Sequence, residues 1–150
     1  MVSTKQECTG TTPVKEAGEF MSAHTDQKAV KILIAEDDEI NREVIIAFLK
    51  DVAAFDLTMV EDGRAALEAA TATQFDVLIF DQNMPFITGD RVIRHLRASN
   101  SKNAKTPAIR LSADTVHASQ TALSGVQTVM LPKPLRRDEL VGAIWAVLAV

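Results

Sequence analysis

The stretch VLIFDQNMPFITG, residues 77–89, decides the fold. Four apolar residues run straight into Asp81, and a Met-Pro turn and a glycine follow. A continuous apolar run of this length, closed by turn residues, reads as a strand buried on both faces. Such a strand ends on a bare carboxylate only where the sheet edge has a use for it.

Working outward, the same alternation recurs on both sides. Apolar strands are predicted at 30–35 (VKILIA), 55–60 (FDLTMV), 75–80 (FDVLIF), 107–112 (PAIRLS) and 127–131 (QTVML). Helices are predicted at 38–52, 62–72, 89–99, 114–125 and 136–150, with Asp38 as an N-cap and Gly125 as a terminator. The last turn of the helix at 89–99 is basic, as the helix dipole favours. Strands that alternate with helices predict an α/β domain with a parallel sheet. Residues 1–28 are polar and aperiodic, and are expected to form a flexible tail ahead of a single domain at 29–150.

The chain has 150 residues, 47% of them hydrophobic and 24% charged, with a formal net charge of −4. That balance provides no basic footprint for nucleic acid and no polybasic patch for a membrane. No apolar run is long enough to span a bilayer, and no secretory signal is evident. The single cysteine, Cys8, fits a cytoplasmic protein.

All strands of a parallel sheet end on one edge. Strand one runs into Glu36 and Asp37, strand three into Asp81, strand four into Ser112, and Lys133 follows strand five. These residues are expected to converge on the rim where open α/β sheets bind ligands. Three carboxylates repel one another unless a hard cation sits among them, and oxygen ligation with open water positions suits Mg²⁺ or Mn²⁺. Such a cation could hold a phosphoryl group, with Lys133 as a point charge, Ser112 as a donor and Asp81 as the nucleophile. His24, His95 and His117 lack metal-ligand spacing.

Four pieces, ILIAEDDEINR, FDQNMPFITG, IRLSA and LPKPL, occur in this order at strand ends. Together they resemble the receiver domain of two-component response regulators, over roughly residues 29–150. The resemblance implies a flavodoxin-like (βα)5 doubly wound parallel sheet of order 2-1-3-4-5. It implies that Asp81 is the phosphoacceptor, and that Glu36, Asp37, Asp81 and the backbone carbonyl of Asn83 hold the metal. It makes Ser112 the switch hydroxyl and Lys133 the phosphate contact, with a cis peptide before Pro134. Asn83 and Asp114 would tune phosphate lifetime. The protein would catalyse its own phosphorylation and dephosphorylation rather than act on separate substrates.

One position departs from the family pattern. Three residues before Lys133, where an aromatic is usual, the chain has Met130, and it contains no tyrosine. The output switch is therefore expected to be muted or different. The helices at 38–52 and 136–150 carry more apolar surface than one core face needs, which marks Ile40, Asn41, Val44 and Trp145 as docking candidates. The partners implied are a histidine kinase or histidine phosphotransfer protein, then a second copy or a downstream protein. A stand-alone receiver and one excised from a hybrid kinase both fit, and the polar tail favours a complete small protein with no DNA-binding domain. Two rival readings are a pseudo-receiver that only binds partners and a haloacid-dehalogenase-type phosphatase. The second rival wants an acid two residues after the nucleophile, where this chain has Asn83.

Overall fold

The computed structural model describes residues 28–113 and 128–149. The expected tail up to residue 27 and the helix expected at 114–125, with Asp114, lie outside the described residues. The strands are β1 (Val30–Ala35), β2 (Phe55–Val60), β3 (Val77–Asp81), β4 (Ala108–Ser112) and β5 (Thr128–Pro132). The helices are α1 (Glu39–Leu49), α2 (Gly63–Ala72), α3 (Gly89–Ala98) and α4 (Arg137–Leu148). The five strands form one sheet of order β2-β1-β3-β4-β5, parallel at every pairing.

The central strands are hydrophobic on both faces because helices cover both. Leu33, Ala35, Leu78 and Phe80 point to one side, where Ala66 and Ala70 of α2 and Val92, Ile93 and Leu96 of α3 pack. Ile32, Ile34, Val77 and Ile79 point to the other, against Ile45 and Leu49 of α1 and Leu140, Ile144 and Val147 of α4. Each large side chain fully buried in this way contributes about 1.5–3 kcal/mol. A one-residue slip of β1 would exchange its two faces, so Ile32 and Ile34 would meet the small alanines of α2.

Short polar side chains start three of the helices. Asp38 accepts from the Asn41 N–H, Asp62 from the Ala65 N–H and Thr88 from the Arg91 N–H. Several boundaries differ from expectation by one to three residues, and two of these have a visible cause. α1 ends at Leu49 rather than Val52, because the Val52 N–H turns back to the Leu49 carbonyl at 3.1 Å. β3 starts at Val77 rather than Phe75, because the Phe75 N–H is taken by the buried Asn103 side chain at 2.8 Å. Among the described residues, no helix is long and apolar enough to cross a membrane.

Candidate functional site

The sheet delivers the expected residues to one edge. Asp81 is the last residue of β3 and is buried. Glu36 follows β1 directly and is 0% exposed, held by its N–H to the Val60 carbonyl at 3.1 Å. Lys133 follows β5, and its N–H donates to the Ser112 carbonyl at 2.8 Å. The peptide between Lys133 and Pro134 is cis. Lys133 Nζ lies 3.1 Å from Glu36 Oε2 and 3.2 Å from Asp81 Oδ1. Glu36 Oε1 accepts the Asp38 N–H at 3.2 Å, and Asp81 Oδ1 accepts the Asn83 N–H at 3.3 Å. Asp37 is exposed at the mouth, and carboxylate oxygens of Glu36, Asp37 and Asp81 all lie within 4.8 Å of one another.

The electrostatics are those of an under-neutralised site. Burial, and then the hydrogen bond and negative charge of Asp81, push the Glu36 carboxyl up to about 7. Burial alone would lower the Lys133 ammonium, but the Asp81 and Glu36 carboxylates outweigh it and hold it above its ordinary value. One lysine thus pairs with two of the three acids. A compact set of hard oxygen donors with surplus negative charge fits Mg²⁺ or Mn²⁺.

The remaining described candidates do not all lie on this rim, since Trp145 packs on Phe55, the first residue of β2, at the opposite edge. Ser112 closes β4, buried and one register step beyond Leu111, the partner of Asp81. Met130 is half-buried on β5, opposite Arg110. Asp38 caps α1 rather than joining the acids. Ile40 is 71% exposed on α1, whereas Asn41 and Val44 are half-buried. Trp145 is 44% exposed on α4 and rests against the Phe55 ring at 5.2 Å.

Several contributors have roles that sequence reasoning did not assign, although Gly89 stands in the FDQNMPFITG stretch. Arg42 Nη1 donates to the backbone carbonyls of Glu36 and Asp37 at 3.0 and 3.2 Å, which fixes the acidic turn. A Cβ at Gly89 would sit 2.5 Å from the Asp81 carbonyl oxygen, so only glycine lets α3 start this close to the end of β3. Phe86, with φ 71°, takes a left-handed conformation rare for a bulky residue, and the Arg64 guanidinium lies 4.6 Å over its ring.

Residues 32–145 match the response regulator receiver domain as a family. The chain is 29% identical over 118 residues to the two-component response regulator ORR41 of Oryza sativa subsp. japonica, covering 76% of this chain and 91% of that protein. It is 30% identical over 120 residues to the response regulator MprA of Mycolicibacterium vanbaalenii, covering 79% of this chain. It spans only 50% of that relative's length. The receiver domain of the sensor histidine kinase PA1611 of Pseudomonas aeruginosa, solved with a magnesium ion coordinated in its active site cleft, aligns with a TM-score of 0.70 and 27% identity. That alignment covers 81% of this chain and 99% of the other. A family match over most of the chain, on a sheet of the expected order, is decisive: the chain belongs to the response regulator receiver domains, the phosphoaccepting modules of two-component signalling.

Proposed function

We propose that Asp81 accepts a phosphoryl group from a phosphohistidine, presented by a histidine kinase or a histidine phosphotransfer protein, at a site that uses Mg²⁺ or Mn²⁺. The observation that carries this reading is the placement of Lys133 Nζ, 3.1 Å from Glu36 and 3.2 Å from Asp81 at the strand ends. An Asp81 carboxylate oxygen bonds to phosphorus as the phosphorus–nitrogen bond breaks. The imidazole nitrogen keeps the electron pair and gains a proton. Lys133 meets the charge on the phosphoryl oxygens as a fixed point cation, and the Ser112 hydroxyl donates a hydrogen bond to them. A divalent ion would be held by Glu36, Asp37, Asp81 and the Asn83 carbonyl, and supplies the charge that lets acids and phosphoryl group share one rim. In the return reaction, Asn83 and Asp114 position the attacking water.

Ile40, Asn41 and Val44 on α1, and Trp145 on α4, form the proposed docking contacts, supported by the exposure of Ile40 and Trp145. A second copy or a downstream protein would read the phosphorylated state. The proposed location is the cytoplasm, which the single cysteine fits. The test is phosphotransfer from purified kinases and from acetyl phosphate to wild type and Asp81→Asn, with beryllofluoride as a control. Wild type takes up one phosphoryl group in the presence of Mg²⁺ and the variant none. A wild type inert to both donors and to beryllofluoride refutes the assignment in favour of a pseudo-receiver.

A further inference from the structure

β4 carries a cation where its other residues are closed to solvent. Ala108, Ile109, Leu111 and Ser112 are buried, and Arg110 is the half-buried exception. Arg110 stands in register with Phe80 on β3 and Met130 on β5. Strand alternation puts its side chain on the same sheet face as Ser112 two residues later. Only 15% of that side chain is exposed. Nη1 donates to Asp90 Oδ1 at 3.2 Å and to Gln82 Oε1 at 3.4 Å.

The two partners flank the loop that follows Asp81. Gln82 directly follows Asp81. Its N–H donates to the Leu111 carbonyl at 2.8 Å, and its own carbonyl accepts the Gly89 N–H at 3.2 Å. Asp90 lies in the first turn of α3, where its other oxygen pairs with Arg94 at 3.3 Å. One guanidinium therefore joins β4 to both ends of the loop that begins at the acceptor. The joint is also unsaturated, since Arg110 Nε is buried without a partner. A buried fork with a spare donor can exchange acceptors through a small motion. Met130, the neighbour on β5, brings neither a ring nor a hydroxyl to this row.

We propose that Arg110 is the positioning residue that couples the acceptor loop to the β4–β5 face, carrying displacements of Gln82 and Asp90 into those strands. This rests on Asp81 being the acceptor. New negative charge on Asp81 arises one residue from Gln82, and a largely desolvated guanidinium responds to it more strongly than an exposed one. The fork then re-pairs, and β4 and its ladder partner β5 shift with it.

The experiment follows backbone amides and the Arg110 Nε–Hε signal by NMR as beryllofluoride and Mg²⁺ are added to the full chain. In wild type, residues 81–84 and residues 128–131 both shift, and the Arg110 signal moves. In Arg110→Gln, shifts at 81–84 persist and those at 128–131 fall by at least half. Asp90→Asn, a milder change, gives the same loss, and Arg110→Lys restores only part because it keeps charge without the fork. A folded Arg110→Gln or Asp90→Asn protein whose Val129, Met130 and Leu131 shift as fully as in wild type overturns the inference. So does loss of the response at 81–84 in both variants, which would make the network part of the acceptor site. A wild type silent at 81–84 would instead refute the acceptor assignment, and the coupling with it.

Discussion

Glu36→Gln should make the metal-free protein more stable, by an amount that grows as pH rises from 4.5 to 7 and then levels off. Glu36 is 0% exposed and its carboxyl is pushed up to about 7 from 4.5, first by burial and then by Asp81. The folded chain therefore holds this proton more tightly than the unfolded chain. Between those two values folding takes up a proton, so the stability contributed by the group is full below pH 4.5 and is lost as pH rises through 7. Each pH unit of that window is worth about 1.4 kcal/mol, which places the loss at pH 8 near 3 kcal/mol.

Glutamine is the neutral counterpart of the protonated acid, and its amide can still donate to Asp81. It should be about 2–3 kcal/mol more stable than wild type at pH 8 and within about 1 kcal/mol at pH 5. In a chain of this size the pH 8 gain corresponds to a Tm rise of roughly 5–10 °C. The assay is urea unfolding in a chelator, monitored by circular dichroism at both pH values. Millimolar Mg²⁺ should reverse the order, because wild type gains binding free energy that the variant lacks. A variant no more stable than wild type at pH 8, or equally improved at pH 5, would show that the acids do not repel as the distances imply.

Gly89→Ala should lower stability by about 1–3 kcal/mol, since its Cβ would meet the Asp81 carbonyl and backbone cannot move aside; urea unfolding measures it, and an unchanged midpoint contradicts the packing. Replacing Asn83 or Asp114 by alanine should change decay of the phosphorylated form by about tenfold, ~1.4 kcal/mol in barrier, with uptake from acetyl phosphate nearly unchanged; decay unchanged from wild type in both variants refutes the water-positioning role. Ile40→Lys should slow transfer from a protein phosphodonor about tenfold through loss of an exposed apolar contact, while uptake from acetyl phosphate stays as in wild type; a normal rate from the protein donor removes α1 from the docking face.

The sheet and its rim were legible because both follow from local pattern. VKILIA and VLIF are too apolar for any strand not covered on both sides, and parallel topology then forces Glu36, Asp81, Ser112 and Lys133 to one edge. What escaped the sequence is long-range hydrogen bonding by single side chains. Nothing in the string announces that Asn103, 28 residues away, will take the Phe75 N–H and move the start of β3. Nor does it announce that Arg42 will clasp the Glu36 and Asp37 carbonyls, or that α1 will close on a tight turn without glycine or proline.

Several departures from ordinary local rules fall near Asp81, although Arg97 and Thr128 also bury unpaired donors away from it. Acids crowd together at Glu36, Asp37 and Asp81, Phe86 takes a left-handed backbone, and Arg110 buries an unpaired donor. Each conflicts with folding preference, and each lies in the acceptor loop, in a strand end beside it, or in a side chain tied to it. The helices and strand cores that hold them obey capping and burial rules nearly throughout. Stability that elsewhere comes from consistent packing is given up around Asp81, which is where a site that must gain and lose charge needs alternatives close in free energy.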